Sequence, residues 1–411
     1  MKSHYVPHLI LKRFGEKICL YDIQDGTLKE DVKPEKAYIR KNFYSDEVED
    51  LLNRAVESQF ANLFDHVLSR NNAEIRLKRT ELRLVKKFLL VSIIRSMDAE
   101  SFLQKEKTFY EDLQQDAARN GERCARELGL DPTILKDASL VVKPPFDEKV
   151  IPEETSFNYW MRTLKVILET DGSPQQIFNH LDKTYPAHRW AKIVDAGYLA
   201  FWDTNGGDDQ FVITDVGMTS ENEVGWDGIR THNIKKHQCL LQTFQSTDDR
   251  NFQMNIARTM SMTTNFHENF QMFPISANRM IVLIAPFFKT RHAYRDYFPM
   301  PPLEQLTVLA NEELFLPNQH YYVYPQNPPD YRYHENDEYI YHVKKLTAEE
   351  VRYCNALFMD RVSAFLGFPN LRSVVRSAVA YKKYNKAPYV PRVDYTSLYR
   401  IIEERYGGRL L

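Results

Sequence analysis

The chain reads as an α+β protein, with helical N- and C-terminal layers packed on a central, mostly antiparallel sheet. Three observations predict this. Apolar residues recur at helical spacing in two blocks, one covering residues 46–128 and one beginning at residue 347. Short β-branched and aromatic runs, bounded by Gly, Asn, Asp and Pro, fill much of the stretch between. Helices and strands do not alternate regularly, so a doubly wound parallel sheet is not expected.

Taken in order, Pro7 disfavours helix at Val6, so His4 to Pro7 should be extended. Leu9 to Phe14 fits a short helix or strand. Ile18 to Ile23 and Thr27 to Val32 flank Asp25-Gly26, a hairpin signal. Ser45 is a suitable N-cap, with Asp46 and Glu47 in the favoured acidic first turn of a helix running to about Ser69. A second helix is expected over Thr80 to Met97 and a third over about Ala99 to Leu128, closed by Gly129. Lys143-Pro144-Pro145 through Pro152 reads as a linker. Phe157 to Leu168 is helical, and Ser173-Pro174 starts another helix.

The period then changes. Ala196 to Trp202 and Phe211 to Thr214 read as strands around a hairpin turn at Thr204-Asn205-Gly206-Gly207-Asp208. Further strands are expected at Gln238–Phe244, Phe273–Ala277, Met280–Phe288, Gln319–Tyr324 and Glu338–Val343. Thr347 and Glu350 form a capping box ahead of a helix over Val351–Leu366, and Ser397 to Tyr406 is the last helix. The divisions that follow are 1–137, a linker at 138–155, a central region at 156–346 and a C-terminal region at 347–411, all of which could belong to one domain.

Composition narrows the function classes. The chain has 411 residues and a formal net charge of −2, which argues against a surface that grips nucleic acid everywhere but leaves room for local basic patches. Cys19, Cys124, Cys239 and Cys354 lie far apart, without zinc-finger or redox spacing, and are expected to be reduced thiols of a cytoplasmic protein. The longest apolar runs are too short for a bilayer, so no membrane association is expected. Walker A, dinucleotide-fingerprint, nucleophile-elbow and His-Glu-x-x-His motifs are absent.

His4-Tyr5-Val6-Pro7, followed by an apolar stretch and Arg13-Phe14, resembles the opening of the bacterial family DUF4238. Asn42-Phe43-Tyr44, Glu57 and Arg95 are similar to later family features, as are Phe211-Val212-Ile213-Thr214-Asp215, Pro274-Ile275-Ser276 and Asn355. His8 stands where the family usually has Gln, and Val216-Gly217 stand where it usually has Asn-Pro. The resemblance implies a bacterial soluble protein and assigns no activity. An accessory-gene setting such as phage defence is the further expectation.

The residues themselves nominate a site. His4 titrates near neutrality and suits general acid–base work, or it pins the N-terminal segment by hydrogen bonds. His4 and His8 have the spacing of a helical zinc pair, but Pro7 opposes that helix. Asp215 closes an apolar strand. It could hold a divalent cation such as Mg2+ or Mn2+, orient a histidine, or cap a turn. Glu57 could join Asp215 as a second metal carboxylate or pair with Arg95, which could otherwise stabilise phosphate charge. Arg76, Arg79, Arg83 and Lys86 read as a helical basic stripe. Lys382, Lys383, Tyr384 and Lys386 belong to a tail in which cations and tyrosines interleave, as suits RNA or DNA single strands, or else a docked strap. The leading expectation is an enzyme cleaving RNA or DNA phosphodiesters. The alternative is a non-catalytic binding or regulatory protein that docks an unknown protein partner through the tail.

Overall fold

The computed structural model describes residues 2–41, 43–69, 72–96, 155–172, 198–221, 270–284, 313–316, 338–384 and 393–406, with isolated residues between (126, 129–131, 176–177, 190–191, 194–195, 242 and 245–253). The expected third helix lies almost wholly outside these residues. So do the linker, the helix begun at Ser173-Pro174, and the strands expected at Gln238–Phe244 and Gln319–Tyr324.

The chain opens with strand β1 (Lys2–His4) and a single helical turn, α1 (His8–Leu11), whose N-cap is Pro7. The expected hairpin follows as β2 (Ile18–Asp22) and β3 (Thr27–Val32), with Gly26 in its turn at φ 61°. Strand β4 (Ile39–Lys41) pairs antiparallel with β1, placing His4 opposite Ile39. Ser45 caps α2 (Asp46–Leu52) by accepting from the Val48 amide at 3.3 Å. The helical path continues through a π turn (Asn53–Glu57), α3 (Ser58–Leu63) and a second π turn (Phe64–Leu68). Strand β5 (Glu74–Lys78) precedes the long α4 (Arg79–Arg95), and α5 (Ser156–Glu169) packs beside it.

The central sheet has the order β13-β6-β10-β9-β8, built from β6 (Tyr198–Thr204), β8 (Thr219–Glu221), β9 (Phe270–Pro274), β10 (Arg279–Ile284) and β13 (Lys344–Leu346). All its pairings are antiparallel except β13 with β6. Side-chain alternation splits two apolar cores across it. Leu199, Phe201, Phe273, Ile281 and Leu283 face a core shared with the N-terminal helices. Ala200, Trp202, Met272, Met280 and Val282 face the other, shared with α6 (Ala348–Asp360), α7 (Leu371–Tyr384) and α8 (Thr396–Tyr406). The expected helix–sheet–helix layering is therefore present. Glu313–Leu316 and Glu338–His342 (β11 and β12) extend β5 into a small sheet, and β7 (Ile213–Thr214) and β14 (Phe365–Phe368) join β2 and β3 in a sheet of order β3-β2-β14-β7.

Three expectations change. Residues 204–208 do not close a hairpin, because β6 pairs with β10 and β13 whereas β7 pairs with β14. The reason is local. Thr204 is tied to Asn278, while Asn355 on α6 takes the Val212 amide at 3.0 Å and donates to the Gln210 carbonyl at 2.8 Å, drawing this stretch to the other layer. The helix begun at the Thr347–Glu350 capping box ends at Asp360 rather than Leu366, because residues 365–368 are recruited as β14. Arg76 is on β5, so it is not part of a helical stripe. Among the described residues, no helix is long and apolar enough to cross a membrane, and Cys19 and Cys354 are buried free thiols.

Candidate functional site

Arg95, the last residue of α4, is the hub of the N-terminal region. It is buried, and its guanidinium donates to the His4 carbonyl at 2.7 Å, to the Tyr44 hydroxyl at 2.9 Å and to the Glu57 carboxylate. Burial opposes its charge, but Tyr44 and Glu57 outweigh burial and push its pKa up, so it stays charged. Burial drives the Tyr44 phenol up to about 12 against the pull of Arg95. Glu57 is on the first π turn, and the Arg95–Glu57 ion pair uses it as a structural partner.

His4 and His8 meet in spite of Pro7. The strand–turn–helix path around Pro7 stacks the two rings, with centroids 5.0 Å apart and planes 19° apart. Both Nε2 atoms are buried and have no hydrogen-bond partner. Burial lowers both pKa values. For His4 the Glu35 carbonyl and Glu57 push upward and Arg95 pushes downward. For His8, Lys12 and His4 itself add to the lowering. Both rings are therefore neutral near pH 7. On the other side of the hub, one carboxylate oxygen of Glu49 is buried without a partner, and burial raises the pKa of that carboxyl.

Tyr5, Val6 and Pro7 fold back onto the segment around Asp215. With Ser92, Arg95, Ile213, Val216, Gly217, Pro274 and Ile275 they line a narrow crevice. It leaves about 20 Å³ for the centres of water molecules, room for a water but not for a nucleotide. The Asp215 side chain does not line this crevice. Its oxygens accept from the Ser363 amide at 3.0 Å and the Ala364 amide at 2.9 Å. Burial raises the Asp215 pKa while those amides hold it down. Among the described residues, no three His, Cys, Asp or Glu side chains gather as a metal ion would need. Asp215 and Glu57 are each engaged with other partners.

The basic candidates are dispersed. Arg79 lies over the Tyr339 ring at 5.4 Å, Lys86 donates to the Asp195 carbonyl at 2.7 Å, and Arg83 is half-buried on α4. In the tail, Lys382 is exposed and sits 5.3 Å over the Tyr399 ring. Lys383 and Tyr384 lie in the last turn of α7, while their side chains and all of Lys386 are outside the described residues. Three tail tyrosines are docked: Tyr381 donates to Asp360, Tyr395 to the Met359 carbonyl and Tyr399 to the Ala378 carbonyl.

Sequence reasoning passed over His8 as a partner of His4, because helical spacing was the signal sought and Pro7 removed it. The π turn that aims Glu57 at Arg95 was also unread.

The motif segments thus converge. His4 to Pro7, Tyr44, Glu57, Arg95, Ile213 and Pro274–Ile275 surround one hub and crevice, and Asn355 anchors the strand leading into it. No curated protein and no solved structure matches the chain. A family model described as "Protein of unknown function (DUF4238)" matches residues 2–366. Its span takes in every one of these converging segments, and the chain belongs to that family.

Proposed function

We propose that the protein is an enzyme that cleaves nucleic-acid phosphodiesters, with proton transfer carried by the His4–His8 pair. The supporting observation is the pair itself: two neutral imidazoles in ring contact, whose buried Nε2 atoms have no hydrogen-bond partner in the protein. A neutral imidazole with a free lone pair is the form a general base needs. Rings this close titrate together, so the singly protonated pair holds one acid and one base. Arg95 is a positioning residue in this reading, holding His4 by its backbone. A second reading, a non-catalytic binding protein, is favoured by the engagement of Asp215 and Glu57 elsewhere and by the narrowness of the crevice.

The test is purified protein with labelled RNA and DNA, with and without Mg2+ or Mn2+. Cleavage that disappears in folded His4→Ala and His8→Ala variants supports the enzyme. Binding without cleavage, equal in wild type and variants, overturns it in favour of the second reading.

A further inference from the structure

We propose that the stacked His4–His8 pair is an acid-sensitive latch: neutral rings hold the N-terminal segment against the crevice, and protonation releases it. This goes beyond the catalytic reading and does not rest on it.

The two histidines bracket Tyr5-Val6-Pro7, which forms one wall of the crevice. Val6 is buried in the core and the Tyr5 ring packs against Tyr38 and Phe43, and a few polar ties add to these contacts. β1 meets β4 over three residue pairs, the Tyr5 amide donates to the Tyr38 carbonyl at 3.2 Å, and Arg95 holds the His4 carbonyl. Protonation acts on this seam in two ways. It places positive charge on rings that lie nearly parallel and in contact. It also makes both nitrogens of each ring N–H donors, and the buried Nε2 has no acceptor in place.

Charged groups act on the pair from several elements. From α4, Arg95 opposes protonation of His4, and at the end of α1 the C-cap Lys12 opposes that of His8. Glu57 on the π turn and Glu35 on the turn before β4 favour protonation. Glu57, however, is already paired with Arg95, and Glu35 is exposed to solvent screening. Glu49 on α2, which sits by Arg95 and Glu57, itself resists ionisation through burial. The balance is a lowered pKa for both rings. A base whose folded pKa lies below its unfolded value binds fewer protons when folded. The latch is therefore fully closed above the ordinary histidine value of 6.5 and is progressively lost as pH falls through it.

Hydrogen exchange of the full chain at about pH 7.5 and about pH 5.5, corrected for intrinsic rates, reads the latch directly. Amides of residues 2–12 are expected to lose about tenfold in protection on acidification. Amides of α6 serve as the internal reference and stay unchanged. The double variant His4→Gln with His8→Gln should show no acid response. Should that variant fail to fold, His8→Gln alone removes the stacking partner and should cut the response to about threefold or less. An equal acid response in wild type and variant overturns the proposal, as does a wild-type segment indifferent to pH.

Discussion

Three separate segments end on the Arg95 guanidinium, through the His4 carbonyl, the Tyr44 hydroxyl and the Glu57 carboxylate. Arg95→Ala would leave the Glu57 carboxylate and the Tyr44 hydroxyl without that partner and would free the His4 carbonyl. Breaking a buried pair from one side costs about 3–5 kcal/mol, and urea unfolding should show a loss of that size. Arg95→Lys keeps the charge but cannot reach three acceptors at once, so it should recover less than half. The Arg95–Glu57 pairing was legible, since both residues sit on strongly periodic helices adjacent in sequence. The fate of Asp215 was not: its partners are amides 148 and 149 residues further on, and no local pattern announces them. Nor was the stacking of His4 on His8, which depends on the turn at Pro7.

At the scale of elements, caps and turns carried the clearest signals. Ser45, the Thr347–Glu350 box and Asp25-Gly26 each do in the structure what their chemistry suggests. Thr347→Ala removes the acceptor of the Glu350 amide. It should cost about 1 kcal/mol, measurable as a lower thermal midpoint with an unchanged circular dichroism spectrum. The helical run after Ser45 carries a subtler signal. Val48, Leu52, Val56, Phe60, Phe64 and Leu68 are all buried at strict intervals of four. Five turns of α-helix take about 18 residues, whereas these five steps span two residues more. Two π turns, Asn53–Glu57 and Phe64–Leu68, absorb the surplus and keep the stripe on one face. The four-residue period is visible in the sequence, but a reading that asks for rough 3.6 spacing passes over it. Helix α7 was read as tail because its arginines and lysines outweigh the buried Val374, Val375 and Ala378.

For the whole molecule, the layering was legible from helices grouped at both ends, yet the pairing of strands was not. The run Leu199-Ala200-Phe201-Trp202 is apolar on both faces because helices cover both, so its sequence has no polar side to fix its orientation. Gly367 marks where the two ends of the chain are fastened. A Cβ there would lie 2.5 Å from the Tyr38 hydroxyl, which donates to the Ile213 carbonyl at 3.0 Å. Gly367→Ala should displace Tyr38 and cost about 1–3 kcal/mol, seen as a lower urea midpoint with the slope preserved.

The placement of β14 between β2 and β7 also bears on how the protein is made. On the ribosome the β2–β3 hairpin emerges early, with one flank of backbone donors and acceptors bare, and its mate at Phe365–Phe368 arrives only after several hundred further residues. Through that interval the hairpin is open to pairing with the wrong chain. Newly synthesised protein should thus depend on chaperones until the late strand slots in and closes the gap.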